Sequence, residues 1–358
     1  MRITFVIPFA SLSGGIRVVA TYARELQARG HVVTVVSCAP GVRLSRRQRL
    51  LIALGLAKRP QPPARPTNPL LEVLGDRHIV APGKIRAEDV PDADVIVASW
   101  WETAEWIDAM PPAKGRKFYL LQDYELFHDQ PHDRVAATYR APLRKIAVSS
   151  YIRDRITSSH EISGDITVVP NAVDLDHFQG PERSRNARPR VGFLYTTAER
   201  KNVALALEAL RRAREHADFD VVAFGDPPDS PELPLPEWVT YSRKPDQDRI
   251  PEIYAACDVW LFPSREEGFG LPLLEAMASR TPVLATDAGA APDLVDGQNG
   301  VILPHDPGAF AEAILRFVRM DPEEWTQWSD AAYRTASRNR WEDATDRLLA
   351  VLQEEPSV

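Results

Sequence analysis

Along the chain, short runs of β-branched and other apolar residues alternate with longer stretches in which apolar positions recur every three or four residues. Runs without a polar face mark strands buried on both sides of a parallel sheet, and the periodic stretches supply the helices that cover it. In the first half the pattern predicts strands at Ile3–Pro8, Val32–Ser37, His78–Ala81, Asp94–Ser99, Lys117–Gln122, Lys145–Ser149 and Ile166–Pro170. It also predicts a helix over Ile16–Arg29 that stops at Gly30. After a break the pattern restarts, with strands at Arg190–Tyr195, Phe219–Gly225, Val239–Ser242, Val259–Pro263 and Pro282–Thr286. Helices are expected over Val203–Arg214, Ile250–Ala256, Leu271–Ser279 and Ala309–Arg319. The break, Gln179–Pro189, loses periodicity among Gly180, Pro181, Ser184, Asn186 and Pro189, which places a domain boundary there. Two Rossmann-like α/β domains with doubly wound parallel sheets follow, over residues 1–180 and 188–338. A last helix over 339–355 carries Trp341, Ala344, Leu348, Leu349 and Leu352 at helical spacing and needs a surface to dock on.

The 358 residues, 44% hydrophobic and 26% charged, are ordinary globular usage and suffice for two cores. With 43 basic against 50 acidic residues the net charge is −7, which provides no field to hold a nucleic-acid backbone, so no nucleic-acid partner is expected. Cys38 and Cys257 stand in separate apolar stretches and read as small buried hydrophobes, not as a disulfide framework or a metal cage. Ile3–Ala10 is too short for a signal peptide and contains Pro8, and no run reaches the ~20 apolar residues that span a bilayer, so a cytoplasmic location is expected.

One segment is unlike the rest. Gly41–Pro69 holds Arg43, Arg46, Arg47, Arg49, Lys58, Arg59 and Arg65 and five prolines, with no acidic residue. It reads either as a crossover helix with a solvated arginine face before a proline-rich loop, or as a basic amphipath making peripheral contact with an anionic membrane.

The densest chemistry lies in Pro263-Ser264-Arg265-Glu266-Glu267-Gly268-Phe269-Gly270-Leu271-Pro272-Leu273-Leu274-Glu275-Ala276-Met277-Ala278. A strand ends, a loop follows, and a helix starts near Leu271 with Pro272 suited to its first turn. Gly268 and Gly270 let a ligand approach the backbone, whose N–H groups, with the positive helix end, suit phosphate oxygens or sugar hydroxyls. Glu267 on the loop and Glu275, expected in the first helical turn, can face one pocket at the carboxyl edge of the sheet. Singly, each part has a bland alternative: a Glu that complements a helix dipole, and a tight turn.

This stretch resembles the Glu-x7-Glu signature of retaining GT-B glycosyltransferases, in particular glycosyltransferase family four. The resemblance covers nearly the whole chain. Val169-Pro170-Asn171-Ala172-Val173-Asp174 with Phe178 is similar to the family's Pro-Asn-Gly-Val-Asp segment, with Ala172 for the usual Gly. Pro282–Thr286, Gly289, Pro292 and Val295–Leu303 resemble the stretch after the signature helix, and Leu12-Ser13-Gly14-Gly15 resembles the N-terminal glycine loop. It implies two Rossmann-like domains facing a cleft, the second binding a nucleotide sugar and the first supplying the acceptor site. Residues 339–355 would pack back on the first domain.

Carried over residue by residue, Glu275 would hold the ribose hydroxyls, and Glu267 with the Gly268-Phe269-Gly270-Leu271 backbone the transferred sugar. Gly14 and Gly15 would meet phosphate, and the base would lie near Tyr241. Lys201 fits the family lysine that neutralises the diphosphate. The family arginine is replaced after Gly192 by Phe193, and Arg200 is the candidate substitute, with a surface role as its alternative. Ser99-Trp100-Trp101 and Tyr119-Leu120-Leu121-Gln122-Asp123-Tyr124-Glu125 are similar to segments of rhamnosyltransferase-like enzymes of surface polysaccharide assembly. Trp100, Trp101 and Gln122 become acceptor candidates and Asp123 a catalytic one, against core packing for the tryptophans and a helix cap for Asp123.

The resemblance implies a retaining, metal-independent hexosyl- or deoxyhexosyltransferase. It would use a UDP-, dTDP- or GDP-linked donor, no separate cofactor, and a glycan, lipid-linked or small-molecule acceptor. Front-face attack by the acceptor hydroxyl, with the leaving phosphate taking the proton, is the implied mechanism. A GT-B epimerase and a catalytically inactive nucleotide-sugar-binding subunit are the alternatives. A nicotinamide dehydrogenase is disfavoured because neither half shows Gly-x-Gly-x-x-Gly after its first strand. Asp92-Ala93-Asp94, Asp174-Leu175-Asp176 and Asp246-Gln247-Asp248 resemble a metal clamp of another glycosyltransferase fold, but none clusters with further oxygen ligands, so no metal site is expected.

Overall fold

A computed structural model describes residues 1–11, 13–39, 69–72, 74–160, 162, 164–228 and 230–355, and in it the apolar runs become two parallel sheets. The first is built from β1 (Arg2–Phe9), β2 (Val32–Cys38), β3 (His78–Ala81), β4 (Val95–Ala98), β5 (Arg116–Leu121), β6 (Arg144–Ala147) and β7 (Ile166–Val168) in the order β3-β2-β1-β4-β5-β6-β7. The second takes β8 (Arg190–Leu194), β9 (Asp220–Gly225), β10 (Val239–Arg243), β11 (Val259–Phe262), β12 (Val283–Ala285) and β13 (Gly300–Ile302) in the order β10-β9-β8-β11-β12-β13. Every residue of β4 and β11 is buried, which is why these strands read as unbroken apolar runs. In each sheet the strand order reverses beside its first strand, between β1 and β4 and between β8 and β11. Such reversals open a crevice at the carboxyl ends of the strands, where ligands of open α/β sheets bind.

By their contacts the residues fall into two units. The first contains Met1–Ala147, Ile156–Thr167 and Leu348–Val358, and the second Val148–Arg155 and Val168–Arg347. Within the first unit, Arg116 and Arg144 both donate to the Glu354 carbonyl, at 2.5 and 2.8 Å, and hold the end of the chain. Within the second, residues 179–189 are fastened by Asp258, which is 1% exposed. Its carboxylate accepts from the backbone N–H groups of Asn186 and Arg190 at 2.9 and 2.7 Å and from the Arg183 guanidinium at 3.3 Å. The second core joins Val191, Phe193 and Leu261 of the sheet to Leu210, Phe310 and Trp325 of its helices.

The sequence pattern does not announce four helices of eight or more residues, Trp101–Asp108, His132–Arg140, Ser150–Ser159 and Pro322–Ser337. The last is capped by Asp321, whose carboxylate accepts the N–H groups of Glu323 and Glu324, and its buried stripe of Trp325, Trp328 and Ala332 is interrupted by buried Ser329. Among the described residues, no helix is long and apolar enough to cross a membrane. Apart from the backbone of Pro69, the basic segment Gly41–Pro69 lies outside the described residues.

Candidate active site

Because β8 and β11 are neighbours, the loops leaving their carboxyl ends meet at the reversal of the second sheet. The loop after β8 ends in a tight turn, Glu199–Lys201, and the loop after β11 carries Ser264 to Gly270. There Lys201 Nζ pairs with Glu267 Oε1, Arg200 Nη1 lies 3.8 Å from Glu267 Oε2, and the Ser264 hydroxyl donates to Oε1 at 2.9 Å. Glu267 is only 5% exposed, so two cations and a hydroxyl compensate a carboxylate largely removed from water. The N–H of Arg265 donates to the Arg200 carbonyl at 2.7 Å and locks one loop to the other. Phe193 is fully buried in the core, so the position after Gly192 supplies packing, and Arg200 is the arginine that stands beside Glu267. A cavity of about 610 Å³ lined by Asn202, Leu205, Arg265 and His305 opens next to the same loops.

The glycine loop has its carbonyls tied down. Gly268 O accepts from Ser149 Oγ at 2.6 Å, Phe269 O from the Ala290 N–H at 2.8 Å, and Gly270 O from the Leu273 N–H at 2.9 Å. The N–H groups of Gly268, Phe269 and Gly270 have no acceptor among the described residues, which leaves three successive donors at the start of the helix Leu271–Ala278 for an anion or a hydroxyl. Gly270 sits at φ 88°, and a Cβ there would lie 2.5 Å from Phe262 Cζ. Only glycine fits that turn.

Glu275 requires a correction. The helix begins at Leu271, so Glu275 is its fifth residue and lies in the second turn, past the 3.6 residues of the first. Its carboxylate, 7% exposed, accepts the Tyr254 hydroxyl at 3.0 Å. Tyr254, from the helix Ile250–Ala255, is absent from the sequence reading because a tyrosine in an apolar stretch looks like core, and its ring does pack on Trp260 with centroids 4.5 Å apart. Tyr241 spends its hydroxyl on the Pro227 carbonyl at 2.5 Å, and its ring meets Tyr195 edge-on.

In the first unit, Gly14 and Gly15 open the helix Gly14–Ala28 just after β1. A Cβ on Gly15 would lie 3.3 Å from the Gln122 side-chain amide, so the two candidates are brought together across β1 and β5, either side of β4. Gln122 Oε1 is buried with no hydrogen-bond partner among the described residues. Asp123 heads no helix; one of its carboxylate oxygens accepts the N–H of Tyr124 at 2.9 Å. Trp100, at the end of β4, stacks on Phe127 with centroids 6.2 Å apart. Trp101 is 3% exposed, bonds Gln130 through its indole N–H at 3.0 Å and lies under the Arg134 guanidinium, so Trp100 is the more open of the pair.

The same region contains a carboxyl group that the sequence reading did not single out. Glu125, 1% exposed, accepts the Trp101 backbone N–H at 2.6 Å and the Tyr119 hydroxyl at 2.7 Å, both on Oε2. Burial pushes its carboxyl well above the ordinary carboxylate range, although those two hydrogen bonds pull the other way. Burial likewise raises the Tyr119 and Tyr139 hydroxyls. Among the described residues no three His, Cys, Asp or Glu side chains gather as a metal site.

Residues 12–177 match the family described as Glycosyltransferase Family 4, and residues 188–320 the one described as Glycosyl transferases group 1. A D-inositol 3-phosphate glycosyltransferase of Acidothermus cellulolyticus is 28% identical over 398 residues, covering 97% of this chain and 87% of that protein. D-inositol 3-phosphate glycosyltransferase 1 of Catenulispora acidiphila is 31% identical over 245 residues, 60% of this chain but 58% of that relative. Other proteins of this name are matched over as little as 25% to 48% of their length, so the chain spans about half or less of several curated relatives. Among solved structures, Anabaena HepE in complex with UDP and glucose is similar with a TM-score of 0.72, 19% identity and coverage of 98% of this chain and 99% of that one. At that identity the likeness concerns the fold.

Proposed function

For a chain of GT-B fold that carries a glycosyltransferase family 4 domain and a glycosyltransferase group 1 domain, we propose transfer of a sugar from a nucleotide diphosphate sugar to an acceptor hydroxyl, with retention at the anomeric carbon. The observation that carries this reading is the meeting of Lys201, Arg200 and Glu267 with the amide donors of Gly268, Phe269 and Gly270 at one strand-order reversal. Bond breaking places growing negative charge on the departing diphosphate, and fixed cations and amide dipoles stabilise that charge more in the transition state than in the bound donor. Glu267 would hold the reacting sugar and orient both cations. Glu275, fixed by Tyr254, would hold the ribose, and Gly14 and Gly15 would meet phosphate. The acceptor hydroxyl would attack from the face the diphosphate leaves, with its proton passing to the leaving phosphate.

Donor charge would be neutralised by protein groups without a divalent ion. The names of the relatives make inositol 3-phosphate the first acceptor to try. UDP-linked hexoses are the first donors, and dTDP- or GDP-linked deoxyhexoses with glycan or lipid-linked acceptors follow from the rhamnosyltransferase-like motifs. Incubation of the purified protein with such pairs, followed by NMR of the product, tests the reading. A new glycoside with the donor's anomeric configuration supports it. An inverted product removes the retaining mechanism, an epimerised donor favours the epimerase, and tight nucleotide binding without turnover on any pair favours an inactive subunit.

Peripheral contact of residues 41–69 with an anionic membrane on the cytoplasmic side belongs to the same proposal. Each basic residue near such a surface contributes about 1 kcal/mol, which gives reversible attachment. Salt-sensitive sedimentation with anionic liposomes, lost when Arg46, Arg47 and Arg49 are replaced by Glu, is the expected outcome. Indifference of the unaltered protein to anionic liposomes at low salt would remove it.

A further inference from the structure

We propose that Glu125 is a positioning residue for the acceptor, fastening the loop 122–131, which carries Gln122 and Asp123, to the start of the helix Trp101–Asp108 beside Trp100. This rests on the reading of the first unit as the acceptor side.

The geometry is that of a clamp. A single oxygen, Glu125 Oε2, receives the backbone N–H of Trp101 at 2.6 Å and the hydroxyl of Tyr119 at 2.7 Å. These donors come from the first residue of the helix Trp101–Asp108 and from β5, while the Glu125 N–H itself donates to the Tyr139 hydroxyl at 2.9 Å on the helix His132–Arg140. Three elements therefore converge on one residue that is almost fully removed from water. A stack of rings surrounds it: Tyr139 lies against Tyr119 and Tyr124, with centroids 6.4 and 6.1 Å apart, and the Tyr124 hydroxyl bonds the His160 ring at 3.0 Å. The loop so held carries Phe127, on which Trp100 stacks, and Gln130, which takes the Trp101 indole. Gln122, the neighbour of Gly15, and Asp123 lie two or three residues before the clamp.

Hydrophobic packing alone would have been served by a leucine at this position. A buried carboxyl is costly, and it persists in a well-packed interior when its hydrogen bonds fix a particular arrangement. Here that arrangement sets the relative placement of Trp100, Gln122 and Asp123, the groups assigned to the acceptor. Because both donors meet the single oxygen Oε2, an amide at the same place keeps an acceptor for each of them.

The test compares Glu125→Ala, Glu125→Gln and Tyr119→Phe in the complete chain. Misplacing reacting groups by an ångström costs up to about a hundredfold, so Glu125→Ala is expected to raise acceptor KM by about tenfold or more while UDP affinity, read by titration calorimetry, stays within about twofold. Glu125→Gln is expected to restore acceptor KM, and Tyr119→Phe, which removes one of the two donors and keeps the ring, to fall between. In the ¹⁵N spectrum, the Trp100 indole and Gln122 side-chain signals should move in Glu125→Ala and return in Glu125→Gln. This readout needs no turnover, so a chain that transfers no sugar to the tested acceptors would count against the functional reading and leave the clamp still open to refutation. Unmoved signals in both Glu125→Ala and Tyr119→Phe would overturn the proposal, as would a Gln variant as impaired as the Ala variant or a parallel loss of UDP affinity.

Discussion

Lys201 and Glu267 come from loops 66 positions apart in the chain and form an ion pair at the mouth of the second sheet. If Lys201 meets the diphosphate as charge grows on it, Lys201→Ala should lower the transfer rate by about a hundredfold or more, a size typical of removing one donor to a developing anion, with a smaller change in donor affinity. Steady-state kinetics separates the two, and equal losses would make Lys201 a ground-state binder only. Arg200, more distant at 3.8 Å and about one-third exposed, should matter less, and an unchanged rate in Arg200→Ala would return it to the surface. At Glu275, Tyr254→Phe removes one hydrogen bond to a carboxylate, so donor Kd should rise several-fold, the equivalent of about 1 kcal/mol, with kcat unchanged. A rise in kcat or an unaltered Kd would contradict the role given to Tyr254. Glu267, Glu275 and Lys201 are legible in the sequence because each belongs to a motif local in the chain. The partners of Tyr254, Ser264 and Glu125 are not, because periodicity tells which face of an element a residue occupies and not what it meets there.

Among elements, the fully buried strands β4 and β11 are found to within one residue at each end, since an unbroken apolar run admits few other readings. His78–Ala81 and the helix Val203–Arg214 have the boundaries that the pattern predicts. β13, of three residues, is too short to show a period, and Pro322–Ser337 hides its stripe behind polar Thr326, Gln327 and Ser329. The turn at Gly270 is legible as glycine but not as geometry. With φ at 88° and Phe262 in the way of a Cβ, Gly270→Ala should destabilise by about 1–3 kcal/mol and disturb the donor loop. A lower Tm together with weaker UDP binding is the expected result, and an unchanged Tm would mean that the turn relaxes freely.

Glu125 adds a pH dependence at the junction of β5 and its neighbours. Its carboxyl is raised in the fold, so folding takes up a proton once the unfolded chain has ionised, and the stabilising contribution is full below the ordinary Glu value of about 4.3 and declines as pH rises towards the folded value. Glu125→Gln cannot ionise. Its Tm relative to the unaltered protein should therefore climb as pH rises above the ordinary Glu value. A difference that stays flat as pH rises would mean that the carboxyl is already charged in the fold.

Over the whole molecule, the composition break at residues 179–189 falls between β7 and β8 but inside the second unit, whose long segment begins at Val168, and the attachment of Val148–Arg155 to that unit and of Leu348–Val358 to the first depends on contacts that no pattern along the chain encodes. Apart from Gly14 and Gly15, the groups proposed for the leaving diphosphate and the ribose, Lys201, Arg200, Gly268 to Gly270 and Glu275, belong to Val168–Arg347. A nucleotide diphosphate should accordingly stabilise that unit by mass action, by about 2.7 kcal/mol at a hundred times Kd. For a unit of this size each kcal/mol raises Tm by about 2–4 °C, so a shift of about 5–10 °C is expected from the base that fits best among UDP, dTDP and GDP. If protein cations alone neutralise the diphosphate, the shift should persist in excess chelator, shrink as salt screens Lys201 and Arg200, and fall sharply in Lys201→Ala. A shift that chelator abolishes and a divalent ion restores would instead assign the diphosphate to a metal, and the proposed division of charge between Lys201, Arg200 and the loop amides would be wrong.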